Sequence, residues 1–331
     1  MSTALPLVTL RTVDDFLGAR EGRFFGEGFK RVHHALTDIA VEDGTITATA
    51  GLEIPGSWSR KGETTQRPHL STIDVMLLGA QLTGLYAAHA GRLGPGTPFA
   101  VRSCVIKAGR KPQEDDLDTF AVSGRVVEGP ADDNVVTMEC RIGLLTVRIE
   151  AAVGTGRPVW NSWPGDGSYA SAAELPGVWN DAPFGVPHRE RGQFLTDVEI
   201  DTSACLARAD LALPTVPAPS SAPGGEPTMV DLFVSALQLA QVLLYSLDGV
   251  ARADSNTLWM RRTVIGPAAE GAGAAGEGDA GGDGRFEVAL SEPTLLESAQ
   301  GTWRSADVVS TYAGLRLTCS VAHLLPAVPA V

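Results

Sequence analysis

The chain has 331 residues, 44% hydrophobic and 20% charged, a globular composition long enough for two domains and for a core that needs no disulfide or metal staple. Lys+Arg is 26 and Asp+Glu is 39, a formal charge of −13, which argues against nucleic acid and anionic membranes as partners. Cys104, Cys140, Cys205 and Cys319 are far apart, with no Cys-x-x-Cys pair, so neither a zinc ribbon nor a disulfide framework is indicated. No basic-then-apolar leader opens the chain. The most apolar stretch, 232–250, carries Gln238, Gln241 and Asp248. These features predict a reduced, cytoplasmic, soluble protein with no membrane-spanning segment.

In chain order, residues 30–54 read as two strands around a turn at 42–44. A Pro-containing loop follows, then an apolar helix over 71–90 and strand-like runs at 99–108, 119–128 and 135–153. Residues 160–188 are irregular but hold Trp160, Trp163, Tyr169 and Trp179, so they are expected to pack along the surface between two domains. A strand-like run at 194–213 leads into a Pro/Ser/Gly-rich loop, 213–227, and a second apolar helix, 228–250. Strand-like runs follow at 257–265, 285–290 and 308–323. The acidic Gly-rich segment 267–284 has no large apolar residue and is expected to be a disordered loop. The expected organisation is an N-terminal domain, 1–159, an ordered linker, 160–189, and a C-terminal domain, 190–331.

Both halves therefore read as strands, one long apolar helix, then strands. The helices begin Ser71-Thr72-Ile73-Asp74 and Thr228-Met229-Val230-Asp231, and each carries a glutamine, Gln81 or Gln238, seven residues after the aspartate. Seven residues is about two turns, so aspartate and glutamine share a face. A strand carrying Arg102 or Arg261 follows at a similar offset. We read an internal duplication. A long buried helix wrapped by a curved antiparallel sheet is the hotdog arrangement, so the predicted fold is an α+β double hotdog. Joining the sheets edge to edge would also cover exposed edge strands.

Asp74 and Asp231 have two readings. Each completes a Ser/Thr-x-x-Asp capping box, favoured by the helix dipole. Each is also placed to act as a general base or to orient a substrate hydroxyl. His69, two residues before the cap and preceded by Pro68, is the natural proton carrier beside Asp74; the second half has Glu226 at that offset. His33 and His34 fall in a strand, one facing in and one out. Gln81 and Gln238 either bond to backbone or touch substrate. The N-termini of the helices, at Ser71 and Thr72 and at Thr228, offer N–H groups to an oxyanion. Arg67, with Arg60 and Lys61, and Lys30 and Arg31, with Arg20 and Arg23, form basic sets suited to a phosphate or to plain solvation. Arg102 joins them as a candidate substrate contact. Cys104 is the thiol expected near the first helix, without a histidine partner. The glycines of 26–28 and 91–96 fit no nucleotide-binding pattern, and no Gly-x-Ser-x-Gly elbow occurs. No metal ligand set stands out.

The segments Arg23-Phe-Phe-Gly-Glu-Gly-Phe-Lys-Arg-Val32, Trp58-Ser59 and Arg67-Pro-His-Leu-Ser-Thr-Ile-Asp74 resemble hallmarks of the avirulence protein D (AvrD) family, sharply over about 10–110 and less so beyond. More distantly, the duplicated Asp/Gln helix resembles hotdog dehydratases of fatty-acid and polyketide synthesis, although their His-x-x-x-Gly-x-x-x-x-Pro pattern is absent. The AvrD resemblance implies synthesis of syringolide-type elicitors from a β-ketoacyl chain and a ketose through a butenolide, similar in outline to butyrolactone autoinducer synthases. It thus implies an acyltransferase-like synthase joining a β-ketoacyl thioester to a ketose or ketose phosphate. The thioester of coenzyme A or of an acyl carrier protein would be substrate, with no further cofactor. The helix N-terminus would polarise the thioester while His69, oriented by Asp74, takes the hydroxyl proton. Two other readings stay open. One is a 3-hydroxyacyl-thioester dehydratase pairing His69 with Asp231; the other is a non-catalytic acyl-ligand binder. The chain is expected to be a monomer or homodimer.

Overall fold

The strands run in chain order as β1 (Val8–Thr12), β2 (His33–Glu42), β3 (Thr45–Glu53), β4 (Arg60–Lys61), β5 (Thr64–Thr65), β6 (Phe99–Lys107), β7 (Phe120–Val126), β8 (Val135–Ile142), β9 (Leu145–Val153), β10 (Gly167–Ser171), β11 (Phe194–Asp201), β12 (Leu206–Ala212), β13 (Trp259–Pro267), β14 (Phe286–Ser298), β15 (Gly301–Tyr312) and β16 (Leu315–Leu324). The helices are α1 (Asp14–Leu17), α2 (Thr72–His89), α3 (Val178–Asp181) and α4 (Met229–Asp248). The computed structural model describes residues 7–54, 56, 58–91, 93, 97–109, 111–127, 134–154, 165–215, 226–269 and 284–326. Most of the acidic loop expected at 267–284 lies outside the described residues, as do 216–225 of the loop before α4, Trp160, Trp163, Gly94 and Gly96.

Three runs that read as single strands, 135–153, 194–213 and 308–323, are each a pair of antiparallel strands. Their turns are short and carry few turn residues, such as Ala313-Gly314 between β15 and β16, with φ of 49° and 75°. The β2–β3 turn was more legible. It is closed by Asp43-Gly44, both at positive φ, the pairing that suits the twist of a two-residue hairpin.

The chain forms two compact units. One, the α2 unit, comprises residues 30–55 and 67–189. The other, the α4 unit, comprises 1–29, 56–66 and 190–331. The units therefore interleave in sequence, in place of the expected boundaries at 159 and 190. Within the α2 unit the strand order is β10-β2-β3-β7-β8-β9-β6; within the α4 unit it is β1-β11-β12-β14-β15-β16-β13. The two orders correspond strand for strand, and the described strand pairings within both are antiparallel.

Irregularities repeat as well. The pairing of β2 shifts between Thr37 and Ala40, with Asp38 at φ 50°, and that of β11 shifts between Thr196 and Glu199, with Asp197 at φ 49°. Arg102 and Arg261 are the extra residues of matching bulges in β6 and β13. Bulges bend a strand and raise its twist, and both sheets need that. A helix about 10 Å across can meet only two or three strands of a flat sheet spaced at about 4.8 Å. Yet α2 packs against β2, β6, β7, β8 and β9, and α4 against β11 to β16. Each sheet therefore curls round its helix.

This explains why both helices are apolar nearly all round. In α4 only Gln241 and the last turn, from Ser246, escape full burial. Complete burial of each large apolar side chain contributes about 1.5–3 kcal/mol. The expectation that no stretch is apolar enough to span a membrane fails on composition, because α4 meets that test by length and hydropathy. The helix spends its apolar surface inside the sheet instead, where most of its residues are buried.

The exchanged segments cover the two helices. The first segment runs from β1 through α1 into a π-helical turn, Phe24–Gly28, and places Phe25 on Phe233 of α4. The second, part of the stretch expected to lie along the surface, adds β10 to the edge of β2 and buries Trp179 against α2. A Cβ on Gly84 would come within 2.3 Å of the Trp179 side chain, so only glycine lets the strap lie this close.

Candidate active site

The capping boxes form as the sequence predicts, and they use only half of each aspartate. In α2, Ser71 Oγ accepts from the Asp74 backbone N–H at 3.2 Å, while Asp74 Oδ2 accepts from Ser71 N–H at 2.8 Å and from Ser71 O–H at 2.6 Å. The remaining oxygen, Oδ1, meets His34 Nε2 at 2.8 Å. Both side chains are buried, at 5% and 2% exposure. Asp74 is thus a cap and one half of a carboxylate–imidazole pair at once.

Asp231 repeats the first half of this pattern. Its Oδ2 accepts from Thr228 N–H and O–H, both at 2.9 Å. Its Oδ1 accepts from Gln193 Nε2 at 2.9 Å, and Arg191 Nε lies 3.5 Å from Oδ2. His34 and Gln193 hold equivalent places, each four residues before the bulge aspartate of its strand (38 − 34 = 4; 197 − 193 = 4). The duplication has therefore kept the carboxylate in both units but an imidazole in only one. An aspartate tied to an amide and a guanidinium is held in one place. One tied to imidazole is oriented for proton transfer.

The sequence reading favours His69 over His34, and the structure places His34 on the Asp74 carboxylate. His69 donates to the backbone carbonyl of Arg67 and feels Asp74 and Glu114 as nearby charges, while burial outweighs these and holds its pKa below the usual value. The third imidazole, His188, comes from the exchanged strap. Its ring centroid is 6.4 Å from that of His34. Burial first, then the charges of His34, Arg189 and Lys30, push its pKa down to about 3. It is a neutral imidazole across the physiological range. Arg189 fixes this end of the strap by donating to the Val32 carbonyl at 2.6 Å and to His33 Nδ1 at 2.9 Å.

Because the folded pKa of His188 lies below its ordinary 6.5, the unfolded chain binds the extra proton between those values. Stability is then complete above about pH 6.5 and falls as pH drops towards 3. Replacing His188 by Gln is expected to flatten the acid limb of a plot of Tm against pH over this window. An unchanged slope would show that other groups set it.

The remaining candidates separate. Gln81 donates to the backbone carbonyl of Asn180 on the strap, whereas Gln238 accepts from Arg23 Nη1 at 2.8 Å. Arg23 also pairs with Asp14. Thr72 opens α2 and is buried. Arg67 pairs at the surface with Glu114 and Asp115 at 2.9 and 2.6 Å, Arg60 with Glu63, and Lys61 with Ser255 and Asn256. These members of the expected basic rim are therefore committed to protein acceptors, although Lys30 still lies within electrostatic reach of His188. Arg31 is half-buried beside β2, and Arg102 sits at its bulge. His69 and Asp231 belong to different units. Cys140 approaches the first helix, with its Sγ 3.9 Å from the Gly79 carbonyl. Burial pushes the Cys140 thiol up to about 12 and the Cys104 thiol up as well, so neither is a ready nucleophile.

Solved structures similar to this chain include a tesB protein from Mycobacterium avium subspecies paratuberculosis, at 13% identity and a TM-score of 0.38, covering 86% of this chain and 95% of that one. A 12:0-ACP thioesterase from Umbellularia californica has 12% identity, a TM-score of 0.42 and coverage of 84% and 94%. The dehydratase domain of RzxB from Pseudomonas fluorescens has 14% identity, a TM-score of 0.35 and coverage of 87% and 95%. Comparison with curated proteins gives no match. The family model of the Pseudomonas avirulence D protein matches residues 8–326, nearly the whole chain, and the protein belongs to the AvrD family.

Proposed function

We propose that this protein is an acyl-thioester-dependent synthase. It would join a β-ketoacyl group, carried on coenzyme A or an acyl carrier protein, to a small hydroxyketone such as a ketose or its phosphate, on the way to a butenolide of the syringolide type. Membership of the AvrD family and the wrapped-helix units, read as a double hotdog, support this reading. The observation that carries the chemistry is the 2.8 Å contact between Asp74 Oδ1 and His34 Nε2 at the start of α2.

Asp74 accepts the Nε2 proton of His34, which leaves the Nδ1 lone pair as the base. In the proposed reaction Nδ1 takes the proton of the attacking hydroxyl as its oxygen bonds to the thioester carbon. The oxyanion faces the N-terminal turn of α2 and the neutral imidazole of His188, which can donate a hydrogen bond without carrying charge. When the carbon–sulfur bond breaks, the imidazolium returns the proton to the thiolate. His69 is a positioning neighbour in this scheme and no longer the base.

The test is thiol release from a β-ketoacyl thioester with and without a hydroxyketone, followed by the mass of the product. Hydroxyketone-dependent release with an acyl-ester or butenolide mass is expected. Release without acceptor would make the protein a thioesterase. Enoyl formation from a 3-hydroxyacyl thioester, with the β-ketoacyl thioester left intact, would make it a dehydratase. Either result overturns the proposal.

A further inference from the structure

The C-terminal end of α4 carries a group of like charges that the proposed chemistry does not use. A single helical turn, Arg252–Asp254, follows α4. The β4–β5 hairpin packs on it, so that a Cβ on Gly62 would fall 3.3 Å from that of Ala253. Lys61 fixes this contact. Its Nζ donates to the Ser255 carbonyl and to Ser255 Oγ, both at 3.1 Å, and to the Asn256 carbonyl. All three acceptors are neutral. Ser255 Oγ in turn donates to the Arg252 carbonyl at 2.8 Å. Lys61, Ser255 and Arg252 therefore form one small network, and it lies wholly in the α4 unit.

Neither cation has a carboxylate. Among the described residues no acidic group lies within ion-pair distance of Lys61 or Arg252. Asp254, on the same turn, is exposed and pairs with neither, and Glu63 faces Arg60 at 3.5 Å. The Arg252 guanidinium makes no hydrogen bond to the described residues. Both side chains are half-buried, so solvent reaches them. Burial, and then the charge of Arg252, push the Lys61 ammonium down to about 8. Grouping like charges in a half-buried place is unfavourable unless an anion joins them, and a chain with 39 acidic residues does not lack carboxylates to supply one. Tyr245, in the last turn of α4, adds a second mark. It is 0% exposed, and its hydroxyl has no well-formed hydrogen bond within the protein, although Ser255 and Arg252 are its electrostatic neighbours. A buried hydroxyl normally finds a partner.

We propose that Arg252, Lys61 and Tyr245 bind a small dianionic oxyanion of the phosphate type. The Arg252 fork takes two of its oxygens and the Tyr245 O–H donates to a third. Lys61, whose N–H groups are already engaged, supplies charge. A carboxylate has two oxygens and one charge, too few for two cations and a third donor. The bound anion holds the β4–β5 hairpin to the end of α4. This inference does not rest on the function proposed above. The site lies at the opposite end of a 20-residue helix from the Asp231 capping box, about 30 Å along its axis.

The test is the Tm of the full-length protein in chloride buffer of fixed ionic strength, titrated with inorganic phosphate, acetate or coenzyme A. Phosphate is expected to raise the wild-type Tm with its concentration, as a ligand of the folded state does, and acetate to leave it unchanged. Arg252→Gln should abolish the rise, and its Tm without phosphate should be equal or higher, because the repulsion with Lys61 is gone. Tyr245→Phe should bind phosphate about two- to tenfold more weakly, the effect of one lost hydrogen bond. No phosphate-specific rise in the wild type overturns the proposal, as does an undiminished rise in Arg252→Gln. An equal rise with acetate overturns the phosphate class. A rise with coenzyme A but not with phosphate would make this a substrate contact and overturn the proposal as well.

Discussion

Replacing His34 by alanine is expected to lower acceptor-dependent thiol release about 10²–10⁴-fold, the usual contribution of a positioned general base, while the protein stays folded. Its ring is buried against Asp74, so some loss of stability accompanies the change, and a Tm measurement must show that the fold persists at the assay temperature. Two further variants sharpen the result. Asp74→Asn keeps the shape of the capping box and removes the anion that orients the imidazole, so it should also lose most turnover. His69→Ala should cost far less, because the Arg67 backbone carbonyl acts on the His69 ring more strongly than the charge of Asp74 does. A His69 variant as impaired as the His34 variant would return the base to the loop.

Trp179→Ala should cost about 3–5 kcal/mol of stability, the range for emptying a fully buried tryptophan site. Trp179 is 1% exposed, packs on the glycine face of α2 and has the Phe99 ring 6.3 Å away. Gly84→Ala probes the same contact from the other side, since its Cβ would meet the Trp179 side chain at 2.3 Å; it too should destabilise. Because the strap ends in His188, both changes should reduce turnover beyond what the folded fraction explains. Chemical denaturation and activity at matched folded fraction read the two effects separately. A loss of Tm with full specific activity would show that the strap only shields the core.

Much of the fold was legible. The paired capping boxes, the Asp–Gln spacing and the two all-apolar helices gave the duplication, and alternating strands gave the antiparallel sheets. Two things were hidden. The segment exchange could not be read because strand pairing over such distances leaves no local mark: β1 and β11 look like ordinary half-buried strands wherever their partners lie. The proposed base was hidden because His34 sits next to His33, and the choice between them depends on which one faces the helix. A signal did exist. Aligning the repeats on Asp38 and Asp197 sets His34 against Gln193, two polar residues at a core-facing register. Sequence proximity favoured His69, yet proximity along a chain is a poor guide where a strand brings a side chain across to a helix start.

The exchange of edge strands also sets an order of events during synthesis. Val8 pairs with Ile200 and Gly167 with Val41. A ribosome making this chain releases the first edge strand long before its partner exists. The sheet around α2 likewise waits for β10, after all its other strands have emerged. Neither half can be completed by its own repeat, so the nascent N-terminal arm must stay unpaired until the second repeat is nearly two strands long. β1 leaves the tunnel long before β11 and pairs late, and the slow phase of folding should follow that late docking.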